Sequence, residues 1–121
     1  MGAGTRTKDL RTPDYLQHIL DAIERIRTYT APLSRESFEA TPMAVDAVVR
    51  NIAIMGEAAR NITRDDPDFA AAHPDIPREP MYGMRNHVTH GYFVVDVDIV
   101  WSTVKSYLPE LELKLSQLRR S

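Results

Sequence analysis

Apolar residues recur every three or four positions through most of this chain, the spacing of one face of a helix. Tyr15, Leu16, Ile19, Leu20, Ile23 and Ile26 form the first such stripe. Thr12-Pro13-Asp14 predicts its start, with Thr12 as N-cap, Pro13 at the first helical position and an acid in the first turn. Ala31-Pro32 predicts its end near Thr30, because a residue before proline avoids the helical region. Asp21, Glu24, Arg25 and Arg27 fall on the polar face. Ser34 opens a short helix from about Arg35 to Ala40, and Thr41-Pro42 marks another start. Val45, Val48, Val49, Ile52, Met55, Ala59 and Ile62 then trace an amphipathic helix of roughly 20 residues. Arg50, Asn51, Glu57, Arg60 and Asn61 occupy its other positions. Gly56 inside it costs about 1 kcal/mol relative to alanine, which predicts close packing there.

Asp66-Pro67 predicts one short helical turn through Ala72, and Pro74, Pro77 and Pro80 predict a loop after it. A third amphipathic segment spans about Glu79 to His90, with Gly91 as its stop. Asp96 caps the last helix, whose stripe is Ile99, Val100, Val104, Tyr107, Leu108, Leu111, Leu115 and Leu118. Pro109 is expected to kink or divide that helix. Tyr92-Phe93-Val94-Val95 is β-prone but short, and reads as a packed loop. No stretch alternates convincingly with the period of a strand. The expectation is an all-α fold, an antiparallel helical bundle of about four main helices, with residues 11–121 as a single domain and 1–10 as a loose tail.

Composition narrows the function classes. The 121 residues are within the range of one domain, and hydrophobic content of 43% can supply a core. There is no cysteine, which excludes disulfides and thiolate metal sites and is compatible with a cytoplasmic location. No apolar run nears the roughly 18 residues of a spanning helix, and the opening MGAGTRTKDL lacks the apolar core of a secretory signal. Net charge is −2, so any contact with nucleic acid must rest on local positive charge rather than a bulk basic field.

The residues richest in chemistry are Met84-Arg85-Asn86-His87-Val88-Thr89-His90-Gly91-Tyr92. Arg85 and His90 are five apart, so an ideal helix does not stack them. They converge if the helix ends near His90, which Gly91 allows. Arg85 is a permanent cation with a planar donor fork suited to phosphate oxygens. His90 titrates near neutrality and can give or take a proton. Together they are a minimal kit for cleaving RNA with the ribose 2′-OH as nucleophile. One chain offers one such histidine, and a dimer would supply both an acid and a base. The plain alternative is that Arg85 and His90 complement a helix dipole, Asn86 caps a turn, His87 is solvated, Tyr92 is a half-buried aromatic and Trp101 belongs to a core or interface. His87 and His90 could share a metal with His73 or Asp96, but no firm ligand spacing supports it, and no metal or cofactor is expected.

Arg85-x4-His90-x-Tyr92 resembles the RX4HXY signature of HEPN ribonucleases in their HepT form. The resemblance extends to Asp46 through Ile52, to Ile54 through Arg60, to His73-Pro74-Asp75-Ile76-Pro77, and to the last helix, covering about residues 9–118. Pro80 and His87 depart from the family pattern without touching the motif residues. The resemblance implies a homodimer with a composite cleft, and a metal-independent endoribonuclease toxin leaving a 2′,3′-cyclic phosphate. It also implies a cognate MntA-type nucleotidyltransferase antitoxin that transfers AMP to Tyr92. Arg85 and His90 would be catalytic. Asn86, Tyr92, Arg50, Glu57 and Arg60 would bind RNA or support the site. The other reading is a catalytically silent HEPN module that binds a nucleotide or the nucleotidyltransferase.

Overall fold

The computed structural model describes residues 11–73 and 96–120, and within them every regular element is helical. The expected tail 1–10, the segment from Glu79 to His90 with its Gly91 stop, and the Tyr92–Val95 loop lie outside the described residues. Helix α1 spans Thr12–Thr30, α2 Arg35–Glu39, α3 Pro42–Asp65 and α4 Pro67–Ala72. Helix α5 covers Val97–Ser102, a π-helical segment follows over Thr103–Tyr107, and α6 covers Leu108–Arg120. The chain is an all-α helical bundle.

Helices α1 and α3 run antiparallel. Tyr15 of α1 meets Asp65 of α3, while Arg25 meets Asn51, so one number falls as the other rises. Ile19, Ile23 and Ile26 of α1 face Val48, Ile52, Met55, Ala59 and Ile62 of α3 in one core that also takes Val100, Val104, Leu108, Leu111 and Leu115. Phe38 of the five-residue α2 is fully buried in that core and tilts against Trp101, ring centres 5.1 Å apart. A helix this short has almost no stability of its own, so packing of Phe38 holds it in place. Arg35 fastens α2 to α5 through Asp98 at 2.6 Å. Arg27 pairs with Glu112, joining α1 to α6.

The sequence expectation is met at some positions and missed at others. Helix α1 starts one residue early, with Arg11 in the N-cap position and Pro13 second in the helix. The reason is that Asp14 reaches back to the Arg11 backbone N–H at 2.9 Å, while the Thr12 hydroxyl donates to Asp66 instead of capping. Thr41 occupies the N-cap of α3, but its hydroxyl donates to the Ser37 carbonyl of the preceding helix at 2.7 Å. Ile99, expected in the core stripe, is 42% exposed, because the buried stripe passes through Val100 of α5 and Val104 of the π segment. The last helix is divided just before Pro109, by the π segment: the Leu108 N–H donates to the Thr103 carbonyl, five residues back. Asp96 does cap, accepting from the Asp98 and Ile99 N–H groups at 3.0 and 3.2 Å. Gly56 is buried, as close packing requires.

Candidate functional site

Arg85, Asn86, His90 and Tyr92 lie outside the described residues, and so does His87. The part of the expected site that is described sits on α3. Arg50 and Glu57 are two turns apart and Arg60 follows one turn later, so the three share one side of the helix, opposite its core stripe. All three are exposed. Glu57 and Arg60 form an ion pair at 3.8 Å with each side chain about half exposed, so the pair itself adds little stability. Arg50 has no carboxylate within 4 Å among the described residues.

Asn51 is the polar residue that periodicity misplaced. It is only 4% exposed, with its amide nitrogen donating to the Ala47 carbonyl at 2.8 Å and its amide oxygen accepting from Arg25 Nε at 2.7 Å. A buried amide oxygen needs such a donor, since leaving it unpaired costs about 1–3 kcal/mol. The signal available in sequence was the Asn51 position itself, next to Ile52 on the edge of the α3 stripe. Asp21, one turn before Arg25 and its natural ion partner, accepts instead from Gln17 at 2.8 Å. Arg25 therefore carries a positive charge with no carboxylate within 4 Å among the described residues.

A second polar cluster ties the start of α1 to the end of α3. Arg64 grips Asp65 with Nε at 2.7 Å and Nη2 at 3.1 Å, and Tyr15 donates its hydroxyl to Asp65 at 3.2 Å. The Arg64 hydrogen bond holds the Asp65 carboxyl below its usual range. Burial, followed by the Asp65 hydrogen bond, raises the Tyr15 phenol. Next to it, Asp66 accepts from Thr12 and caps α4 through the Phe69 N–H at 3.2 Å.

Of the side chains that could have completed a metal site, His73 lies against the Phe69 ring at 4.4 Å and Asp96 spends its carboxylate on capping. Among the described residues no three His, Asp or Glu side chains gather where they could hold a metal ion. A shallow groove of about 290 Å³ lies between Ile23, Arg27 and Thr30 of α1 and Val104, Lys105 and Pro109 near the π segment, and it contains none of the expected site residues. No helix of the described residues is long and apolar enough to cross a membrane.

Comparison with known proteins gives a consistent result. The family model described as "Ribonuclease HepT-like" matches residues 19–118, a span that includes Arg85 through Tyr92. A "Probable ribonuclease HepT" of Thermococcus cleftensis is 41% identical over 107 residues, covering 88% of this chain and 94% of the relative. A "Putative RNase" of Caldanaerobacter subterraneus subsp. tengcongensis is 34% identical over 110 residues, covering 90% of this chain and 96% of the relative. No solved structure matches.

Proposed function

The chain belongs to the HepT-like ribonuclease family, and on that premise we propose that it is an endoribonuclease whose active site is Arg85 and His90. The match over residues 19–118, with Arg85, His90 and Tyr92 at motif spacing inside it, is the observation that carries this reading. In the proposed reaction a ribose 2′-oxygen attacks the adjacent phosphorus and gives its proton to a neutral His90 imidazole. The bond from phosphorus to the 5′-oxygen breaks, and that oxygen takes a proton from the protonated His90 of a second copy. The products are a 2′,3′-cyclic phosphate and a free 5′-hydroxyl, with no metal required. Arg85 stabilises the charge that grows on the phosphorane, a role worth on the order of 10²–10³-fold, and proton transfer adds roughly 10²–10⁴-fold. Asn86 orients the motif, and Arg50, Glu57 and Arg60 support it from α3.

The proposal extends to regulation. The enzyme is the toxin of a toxin–antitoxin pair, works as a cytoplasmic homodimer, and is silenced by an MntA-type nucleotidyltransferase that moves AMP from ATP to the Tyr92 hydroxyl, releasing pyrophosphate. The added phosphate places negative charge and bulk beside Arg85 and His90, where RNA would bind. Incubation with end-labelled tRNA in EDTA tests the chemistry. Cyclic-phosphate ends are expected from the unaltered chain, and a loss of about 10²-fold or more from Arg85→Ala and from His90→Ala. Undiminished cleavage by both variants would falsify the catalytic assignment. Mass spectrometry of Tyr92 after co-expression with the nucleotidyltransferase tests the regulation. The net charge of −2 favours one other reading, a catalytically silent partner-binding module, for which the unaltered chain would leave the tRNA intact.

A further inference from the structure

We propose that Arg25, held in place by Asn51, is a phosphate-binding position for the backbone of bound RNA. The inference rests on the ribonuclease reading for the identity of its ligand. Its physical basis is separate and lies in the seam between α1 and α3. Arg25 is an exposed residue, yet its Nε is fixed at 2.7 Å by an amide that is 96% removed from solvent, which is itself fixed at 2.8 Å to the Ala47 carbonyl. An arginine anchored through Nε keeps its two terminal nitrogens, the edge that suits a phosphate, directed away from the anchor. Anchoring removes much of the side-chain entropy that weakens most surface arginines as binding groups.

The local charge is equally directed. Arg27, Arg35, Arg60 and Arg64 each have a carboxylate partner, whereas Arg25 and Arg50 have none within 4 Å among the described residues. The carboxylate best placed to neutralise Arg25, Asp21, is held by Gln17. Arg50, which directly precedes the anchoring Asn51 in the chain, is exposed on the outer face of α3. Tyr29, one turn beyond Arg25 on the same side of α1, is 39% exposed and offers a ring. A fixed guanidinium beside an open aromatic suits a phosphate together with its adjoining base, rather than a free phosphate ion. In a chain of net charge −2, this is the local positive charge that RNA contact needs.

The test uses the full chain carrying His90→Ala, so that RNA stays whole, and a labelled single-stranded RNA of about ten nucleotides. Fluorescence anisotropy is measured across a salt series, with and without Arg25→Gln and Arg25→Lys. Arg25→Gln is expected to weaken binding about five-fold at low salt, the scale of one exposed charged contact. It should also flatten the slope of log K against log salt by about 0.7, the value for one phosphate contact to a single strand. Arg25→Lys should restore the slope but not the full affinity. A purely structural Arg25 would lower the melting temperature and leave the slope alone, which overturns the proposal. Inorganic phosphate binding that depends on Arg25, alongside RNA binding that does not, overturns the assignment to RNA. If the unaltered chain does not cleave RNA and the His90→Ala parent does not hold it, the ribonuclease reading has failed. If the unaltered chain cleaves, the His90→Ala parent binds, and adding Arg25→Gln changes neither affinity nor slope, only the present inference has failed.

Discussion

Asn51 and Tyr15 each place polar atoms inside an apolar seam, and hydrogen bonds make this tolerable: to Arg25 and the Ala47 carbonyl for Asn51, and to Asp65 for Tyr15. Asn51→Ala is expected to destabilise the protein by about 1–3 kcal/mol in urea titration, through the lost amide bonds and the small cavity left behind. Asn51→Leu should cost less than the alanine variant if the seam accepts its bulk. The tyrosines set the alkaline limit. Burial raises the Tyr15 and Tyr107 phenols above their ordinary value of about 10. A raised phenol binds its proton more tightly when folded. The stability it contributes is complete below about pH 10, and it is lost as pH rises from there through the folded value. Thermal melts should therefore fall steeply above about pH 10, and Tyr107→Phe should flatten that fall. Asp65 works in the opposite direction. Its pKa is lowered in the folded protein by Arg64, so its contribution is present at neutral pH and disappears as pH drops below about 4 toward the folded value.

At the level of elements, the π segment answers a spacing problem. Val100, Val104 and Leu108 are four apart, and in an ordinary helix each such step drifts about 40° around the axis. A wider turn over Thr103–Tyr107 absorbs that drift and keeps all three in the core. Pro109 then adds no further disruption, because the turn before it is already open. Pro109→Ala is accordingly expected to change stability by less than about 1 kcal/mol, against about 3 kcal/mol for a proline that alone forces a break. A large stabilisation in urea titration would show that the proline, not the spacing, opens the turn. Helices α1 and α3 were legible in the sequence because their stripes are long and regular. The site was less so. Arg85, His90 and Tyr92 stood out as chemical types at a recognised spacing, but Arg25 did not, because its importance comes from an oxygen on another helix 26 residues away. Thr12 misled for a similar reason: its hydroxyl goes to Asp66, which no local rule could supply.

For the whole molecule, one core joins helices from both ends of the sequence, and α2 is present only because Phe38 fills a place within it. Phe38→Ala should cost about 3–5 kcal/mol, a large share of the roughly 5–15 kcal/mol that holds a domain of this size. Both the melting temperature and tRNA cleavage should fall with that variant, whereas Arg85→Ala should lose cleavage and keep its melt. That contrast separates loss of fold from loss of chemistry.

Arg27 reaches across to Glu112, and the apolar face of α1 closes on Leu111 and Leu115. The greasy side of α1 is therefore covered only once the later Leu111 and Leu115 have been made. A message cut short before the codon for Leu108 would yield a chain that stays sticky and prone to degradation, so incomplete synthesis would release little working enzyme into the cell.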